Sequence, residues 1–293
     1  MEFITQLLNG LSLGSIYALV ALGYSMVYGI VQLINFAHGD IIMVGGYMMY
    51  LAMTAMRLPM WLAVMVPIVV CALVGVLIER IAYRRLLTHN AERISLLITA
   101  LGVSLFLQNL FMLLFKSDPR TMTVWFGTDE LNFGTISINT STVINIAVSV
   151  IMMLILQLLV NKTKIGKAMQ AASEDTGAAK LMGINTSNII LITFAVGSAL
   201  AAVGALLYCN TYPQIKPTMG NMLGLKAFVA AVLGGIGSIP GAMLGGYLLG
   251  VVEQMTKAYI STTVTDAVVF AILILVLLVR PAGLMGKPRK EKV

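Results

Sequence analysis

Residues 3–39 read FITQLLNGLSLGSIYALVALGYSMVYGIVQLINFAHG and contain no Asp, Glu, Lys or Arg. An α-helix of about 20 apolar residues crosses the hydrocarbon core of a bilayer, and this stretch exceeds that length. The only charge ahead of it is Glu2, so it lacks the basic segment of a signal peptide. We therefore expect a retained first membrane span.

The rest of the chain repeats this pattern. Hydrophobic residues make up 59% of the 293 positions and charged residues 11%, whereas soluble domains average roughly 25% charged residues. Further charge-free runs cover residues 58–78, 94–115, 131–161, 181–215, 227–252 and 267–279. We predict an all-α, polytopic integral membrane protein that contacts lipid, with residues 1–293 forming one transmembrane domain of about 8–10 spanning or half-spanning helices. The predicted segments are 7–30, 39–56, 60–82, 94–115, 141–161, 188–209, 222–238, 241–257 and 264–281.

Basic residues are concentrated in alternate connecting segments. Residues 80–93, 162–180 and 280–293 hold thirteen of the 19 Lys and Arg residues. Because cytoplasmic loops retain positive charge, we predict a cytoplasmic carboxyl terminus and an amino terminus outside. The same parity places residues 116–140 outside, either as a plain connector with a short hairpin or as a contact for an extracytoplasmic partner.

The net charge of +7 does not indicate nucleic-acid binding, because the basic residues lie between apolar runs and form no aromatic-interleaved patch. Cys71 and Cys209 lie in or at the end of apolar runs and are interpreted as small apolar fillers. No metal ligand set, catalytic group or cofactor site is predicted: His38 and His89 are the only histidines, and no nucleophile and base stand at useful spacing.

The middle cytoplasmic segment, residues 162–188, has helix-favouring alanines and a glycine, Gly183, that can end a helix. It is predicted to form a short helical hairpin. Gly166-Lys167 is followed by Ala168 and lacks the upstream glycine of a phosphate-binding loop, so the chain has no ATP site of its own. Its energy must come from another chain or from an ion gradient.

Glycines are concentrated late in the chain, and part of the pattern recurs early. Small residues four positions apart let membrane helices approach closely, whereas Pro240 divides the run and could create a break that lines a pathway. Both interpretations stay open, as does an internal repeat. The late set is Gly234, Gly235, Gly237, Gly241, Gly245 and Gly246, and the early echo is Gly39 with Gly45, Gly46 and Tyr47.

Polar groups interrupt the apolar runs at two places. Asn35, His38 and Asp40 lie between the first two predicted spans, and the cost of a charge at mid-membrane, about 2.5 to 3.5 kcal/mol, favours a turn at the cytoplasmic face. Glu253 is the most isolated carboxylate within an apolar run. It either forms an ion pair with Lys257 one turn later, near the outer surface, or serves the pathway or proton transfer.

Four segments together resemble the H-type (LivH-like) permeases of the branched-chain amino acid ABC importers, and the likeness covers essentially the whole chain. The matching segments are residues 33–40, 172–184, 233–246 and 280–284. The resemblance implies a permease of the bacterial inner membrane that moves leucine, isoleucine or valine. It also implies two cytoplasmic ABC ATPases, a second related permease and an extracytoplasmic amino-acid-binding protein as partners.

Within that family a cytoplasmic coupling helix with the pattern Glu-Ala-Ala, three residues, Gly docks on the ATPase. Here Gly177 replaces the glutamate, and the later apolar-Pro ending is absent. The resemblance assigns to the coupling loop Ala168, Ala172, Glu174, Asp175, Ala178, Ala179, Leu181 and Gly183. We expect Ala179 on the docking face. The alternative to this importer is an ion-coupled secondary transporter of a small polar solute that uses Glu253 and Asp40.

Overall fold

The computed structural model describes residues 2–32, 35–89, 91–124, 126, 129–133 and 136–286. Leu33 and Ile34 of the first matching segment, and the basic residues Lys287, Arg289, Lys290 and Lys292, lie outside this range. The α-helices are α1 (Glu2–Val31), α2 (His38–Tyr50), α3 (Met60–Ile78), α4 (Arg84–Thr88), α5 (Arg93–Phe115), α6 (Thr140–Lys162), α7 (Lys164–Glu174), α8 (Thr176–Leu181), α9 (Thr186–Thr211), α10 (Met219–Gly234), α11 (Ile239–Tyr259) and α12 (Thr265–Val279).

Two π-helical turns extend these helices, Leu51–Ala55 after α2 and Glu79–Tyr83 between α3 and α4. Short strands complete the description: β1 (Arg120–Thr121), β2 (Glu130–Phe133), β3 (Ile136–Asn139) and β4 (Gln214–Ile215). β1 pairs with β4, and β2 with β3, both antiparallel. The β2–β3 hairpin is the one expected within residues 116–140.

Five helical stretches are long and apolar enough to cross a membrane: Glu2–Val31, Met60–Thr88, Ile94–Phe115, Thr140–Lys162 and Thr186–Thr211. α10 and α12 are shorter apolar helices. Large apolar side chains of α3, α5, α6 and α12 point outward, for example Leu73, Leu113, Leu158 and Leu278. Such surfaces are stable only against lipid or another apolar surface, so the predicted membrane architecture is confirmed.

α1 is the most buried of these long stretches and packs against α6, α9, α10 and α11. Its closest neighbour is α11, which runs antiparallel to it and meets it through glycines. A Cβ atom on Gly14 would lie 2.7 Å from the Cα of Tyr247, and one on Gly250 would collide with the backbone of Gly14. Because membrane helices are not driven together by water, this close van der Waals contact stabilises the pair.

We call the end of the bundle that carries α7 and α8 the hairpin pole, and the end that carries β1–β4 the strand pole. α6 runs from the strand pole to the hairpin pole, and α9 runs back. α1 begins at the strand pole, where it contacts β3. The two poles are therefore the two faces at which the chain leaves the apolar layer.

Candidate functional site

The helical hairpin at the hairpin pole is rigidly capped. The Thr163 hydroxyl accepts a hydrogen bond from the amide of Gly166 at 3.0 Å, which starts α7. Asp175 Oδ1 accepts from the amides of Gly177 (2.8 Å) and Ala178 (3.0 Å), which starts α8. Such caps satisfy amides that a helix leaves without intrahelical partners.

Gly183 ends α8 in the left-handed region, with φ of 81°. Its amide donates to Lys180 O, and the amide of Ile184 donates to Ala179 O, both at 3.0 Å. This pair of bonds is a Schellman motif, in which glycine is preferred because it has no Cβ to strain. The predicted role of Gly183 in ending the helix is therefore confirmed by the backbone geometry.

The side chains of the hairpin divide into two faces. Ala172 and Ala179 are buried against the bundle, and Ala168 is half-buried. Leu181 and Met182 are 90% and 83% exposed. The outward face also carries Glu174, Asp175, Ala178 and Gly183. The expectation that Ala179 lies on the docking face is wrong. Ala179 is buried, on the side of α8 that packs onto α9.

The late glycine run is both a packing element and a break. Gly234 abuts the backbone of Gly241, Gly245 abuts Ala230 O, and Gly246 abuts Ala18, so no room remains for side chains. Between α10 and α11 the chain turns at Gly235 (φ of 104°) and Gly237 (φ of 91°). Pro240 lies in the first turn of α11, where a missing amide costs nothing.

The early glycines lie inside the bundle as well. A Cβ on Gly45 would lie 3.1 Å from the Cβ of Ala205, and one on Gly46 would lie 3.2 Å from Cys209 Sγ. α2 and α11 both begin beside the later part of α1: a Cβ on Gly23 would lie 2.6 Å from His38 Nε2, and the amide of Gly237 donates to Ser25 Oγ at 2.9 Å.

Asn35, His38 and Asp40 lie at a turn, in which the amide of His38 donates to Asn35 O at 3.0 Å, and the bundle encloses this turn. Their side chains are 1 to 2% exposed. His38 lies beside Gly23, about 12 Å before the end of α1 at the rise of an α-helix. The chain returns into the bundle after α1, and α2 starts inside it, so other helices can surround these groups.

Hydrogen bonds from distant helices partly satisfy two of these side chains, Asn35 and Asp40. The Tyr83 hydroxyl donates to Asn35 Oδ1 at 3.0 Å, and Gln108 Nε2 donates to Asp40 Oδ1 at 2.9 Å. Gln108 also donates to Asn221 Oδ1 at 2.6 Å. We call Asp40, Gln108 and Asn221 the amide triad. The sequence analysis missed Gln108 and Asn221, whose only signal was an amide within an apolar run.

Glu253 is 1% exposed and has three partners. Its Oε1 lies 2.8 Å from Lys226 Nζ and 2.7 Å from Lys257 Nζ, and the Tyr17 hydroxyl donates to Oε2 at 2.8 Å. Lys226 also pairs with Asp266 of α12 at 2.8 Å. The expected Glu253–Lys257 pair is present, but it lies within a buried network, and the sequence analysis missed its other three members.

Among the residues that the structure describes, no group of three or more His, Cys, Asp or Glu side chains could hold a metal ion. Smaller buried polar contacts occur elsewhere in the described interior, for example the Asn145 amide donating to Ser12 Oγ at 2.8 Å. What the geometry offers is a membrane bundle with two helices that start inside it and an exposed, capped hairpin at one pole.

These features are typical of an integral membrane permease, a protein that moves a solute across a bilayer. Residues 6–277 match the family model for the permease component of branched-chain amino acid transport systems, and the chain belongs to this family. This confirms the resemblance drawn from the sequence.

Several relatives align over nearly their whole length. The high-affinity branched-chain amino acid transport system permease protein LivH of Salmonella typhimurium is 44% identical over 307 residues, covering 100% of this chain and 98% of that protein. BraD of Pseudomonas aeruginosa, of the same description, is 44% identical over 304 residues with the same coverage. A probable LivH of Methanocaldococcus jannaschii is 29% identical over 288 residues, covering 94% and 90%. No solved structure matches.

Proposed function

We propose that this chain is the translocation subunit of an ATP-driven (ABC) importer of leucine, isoleucine and valine in a bacterial inner membrane. The printed names of the full-length relatives, which are branched-chain amino acid permeases, support the cargo. The absence of a phosphate-binding loop from the sequence supports an external energy source. Residues 1–293 then form a single transmembrane domain.

The two poles face different partners in this proposal. The hairpin pole lies in the cytoplasm with the carboxyl terminus, and the coupling loop of residues 162–188 contacts two ABC ATPases. The strand pole, with the amino terminus and residues 116–140, lies outside and contacts an amino-acid-binding protein. A second related permease supplies the other half of the pathway. The distribution of Lys and Arg supports this orientation.

The observation that carries the proposal is the exposed apolar pair on a rigid hairpin. Leu181 and Met182 stand almost fully free of the rest of the chain, at a pole rich in lysine. Exposed large apolar side chains on a preorganised element are typical anchors of a protein interface. A capped helix transmits force because its ends cannot fray.

Leu181→Asp tests this function. A charge at the centre of an apolar interface should reduce recovery of the ATPases with the permease, and ATP-driven leucine uptake, by about tenfold or more, because hot-spot residues contribute at least about 2 kcal/mol. The measurement is co-purification of the co-expressed transporter subunits, followed by uptake in proteoliposomes.

Met56→Asp is the matched control. Met56 is 63% exposed and lies in the turn after α2, at the strand pole. It should leave co-purification of the ATPases unchanged. Full recovery of the ATPases with Leu181→Asp would contradict the proposed docking face. Leucine uptake by this chain alone, driven by a proton or sodium gradient, would instead establish the secondary-transporter alternative.

A further inference from the structure

The amide triad joins the surface of the bundle to a buried carboxylate. Asn221, near the start of α10, is exposed among apolar neighbours such as Met222 and Leu225. Gln108 of α5 lies behind it, and Asp40 of α2 lies behind Gln108. α2, α5 and α10 thus each contribute one side chain to a hydrogen-bonded polar row that crosses an apolar region.

Asp40 has one oxygen without a partner. Its Oδ1 accepts from Gln108 and the Ser104 hydroxyl also lies near the carboxylate, whereas Oδ2 is buried and has no hydrogen-bond partner among the described residues. The ion pairs of the described residues also do not include Asp40. A buried carboxylate without a cation is costly, and within a membrane such groups mark functional sites.

The start of α2 packs on α10 without interlocking side chains. α2 begins at His38 inside the bundle, and Gly39 and Gly224 touch through their backbones. Interrupted helices in transporters supply binding groups near the middle of the bilayer. Contacts between glycine backbones also allow small sliding movements, because no side chains interlock there.

We propose that Asp40 Oδ2 binds the α-ammonium group of the amino acid during its passage, and that the Asn221 amide offers a hydrogen bond to the cargo's carboxylate. Gln108 is a positioning residue: it donates to Asp40 and to Asn221 and so fixes both. The site takes zwitterionic amino acids as a class. This inference rests on the proposed importer function.

Charge complementarity favours this occupant. The triad has one carboxylate and two amides, so it complements a ligand that has a cationic group and a hydrogen-bond acceptor. A charge-assisted hydrogen bond to a carboxylate is roughly twice as strong as a neutral one, which makes Asp40 the main contact. The apolar side chain of the cargo would lie against residues such as Met222 and Leu225, which are exposed beside Asn221.

Asp40→Asn in the complete transporter tests the site. The replacement keeps the shape and the acceptor for Gln108 but removes the charge. We expect leucine uptake in proteoliposomes to fall by about tenfold or more, the loss expected when a hydrogen bond to a charged group is removed. Assembly, and ATP hydrolysis stimulated by the binding protein, should stay within about twofold, since these depend on the poles. The number of ATP molecules hydrolysed per leucine imported should therefore be higher for Asp40→Asn than for the wild type.

Glu79→Gln is the matched control. Glu79 is also a 1% exposed carboxylate with one bonded oxygen and one oxygen that has no partner, and it lies in the π-helical turn before α4, away from the triad. Leucine uptake by the Glu79→Gln transporter should remain near that of the wild type. Asn221→Ala is a second variant for the site that cannot disturb folding through burial, because Asn221 is exposed, and its uptake should fall several-fold.

The outcomes separate the two proposals. If the wild-type transporter imports leucine and the Asp40→Asn transporter imports it equally well, the proposed site is wrong. The importer function then still stands. Equal losses in Asp40→Asn and Glu79→Gln also overturn the site, because any buried carboxylate would then have the same effect. A complete wild-type transporter that imports no branched-chain amino acid overturns the importer function and, with it, the site.

Discussion

Glu253 and Lys226 stand 27 positions apart in the sequence and form a buried ion pair. A carboxylate at 1% exposure requires partners, because the loss of hydration is not repaid by one contact. Two lysines and the Tyr17 hydroxyl supply them. Because these three groups surround its carboxylate, Glu253 is suited to holding α1, α10 and α11 together. This arrangement argues against a proton-carrying role for Glu253.

Glu253→Gln tests that interpretation at the residue scale. The amide cannot pair with two lysines, so the free energy of unfolding should fall by about 2 kcal/mol, as for other hydrogen bonds to charged groups. Chemical denaturation of the purified protein in detergent micelles measures this change, and uptake should fall only as far as the folded fraction does.

Asp266→Asn serves as the comparison for Glu253→Gln. Asp266 is a half-exposed member of the same network, with a side-chain exposure of 48%. Its replacement should reduce stability by less than about 1 kcal/mol, as for solvent-exposed ion pairs. Uptake abolished by Glu253→Gln at unchanged stability would show instead that the carboxylate takes part in transport.

At the scale of elements, the packing of α1 against α11 depends on glycine. Gly250→Ala places a Cβ against the backbone of Gly14, and a backbone atom cannot move aside as a side chain can. We expect a loss of about 1 to 3 kcal/mol, the usual cost of overpacking. Gly102→Ala on α5 is the control, because its Cβ would meet nothing within 4 Å and alanine is the better helix former. Equal effects of the two changes on the denaturation midpoint would contradict this account.

Helices were predictable from the sequence because their cause is local. A charge-free run such as residues 141–161 must be helical in lipid, and α6 confirms it. The burial of Asp40 was not predictable, since its cost is offset in part by Gln108 from α5, which no local pattern reveals. The hairpin was likewise predictable from local pattern, but the face that Ala179 occupies depends on packing against α9, so the sequence placed it on the wrong face.

The whole molecule has two chemically different poles, and their orientation is a prediction that labelling can test. Cys71 and Cys209 are both fully buried, so they give little background to a thiol reagent. A membrane-impermeant maleimide added to intact cells should label Ile260→Cys at the strand pole and leave Leu181→Cys unlabelled. Inside-out vesicles stripped of peripheral proteins should give the opposite pattern. Labelling of Leu181→Cys from outside the cell would reverse the proposed topology.

The central position of α1 has a consequence for biogenesis. The ribosome makes α1 first, yet its glycine-lined partner α11 begins only at Ile239. At about 5 to 20 residues per second, the interval between the two is roughly 10 to 40 seconds. During that time the glycines of α1 that meet α11, such as Gly14, have only lipid or the insertion machinery on that side. The nascent chain must therefore be sheltered until its last helices emerge and enclose the first.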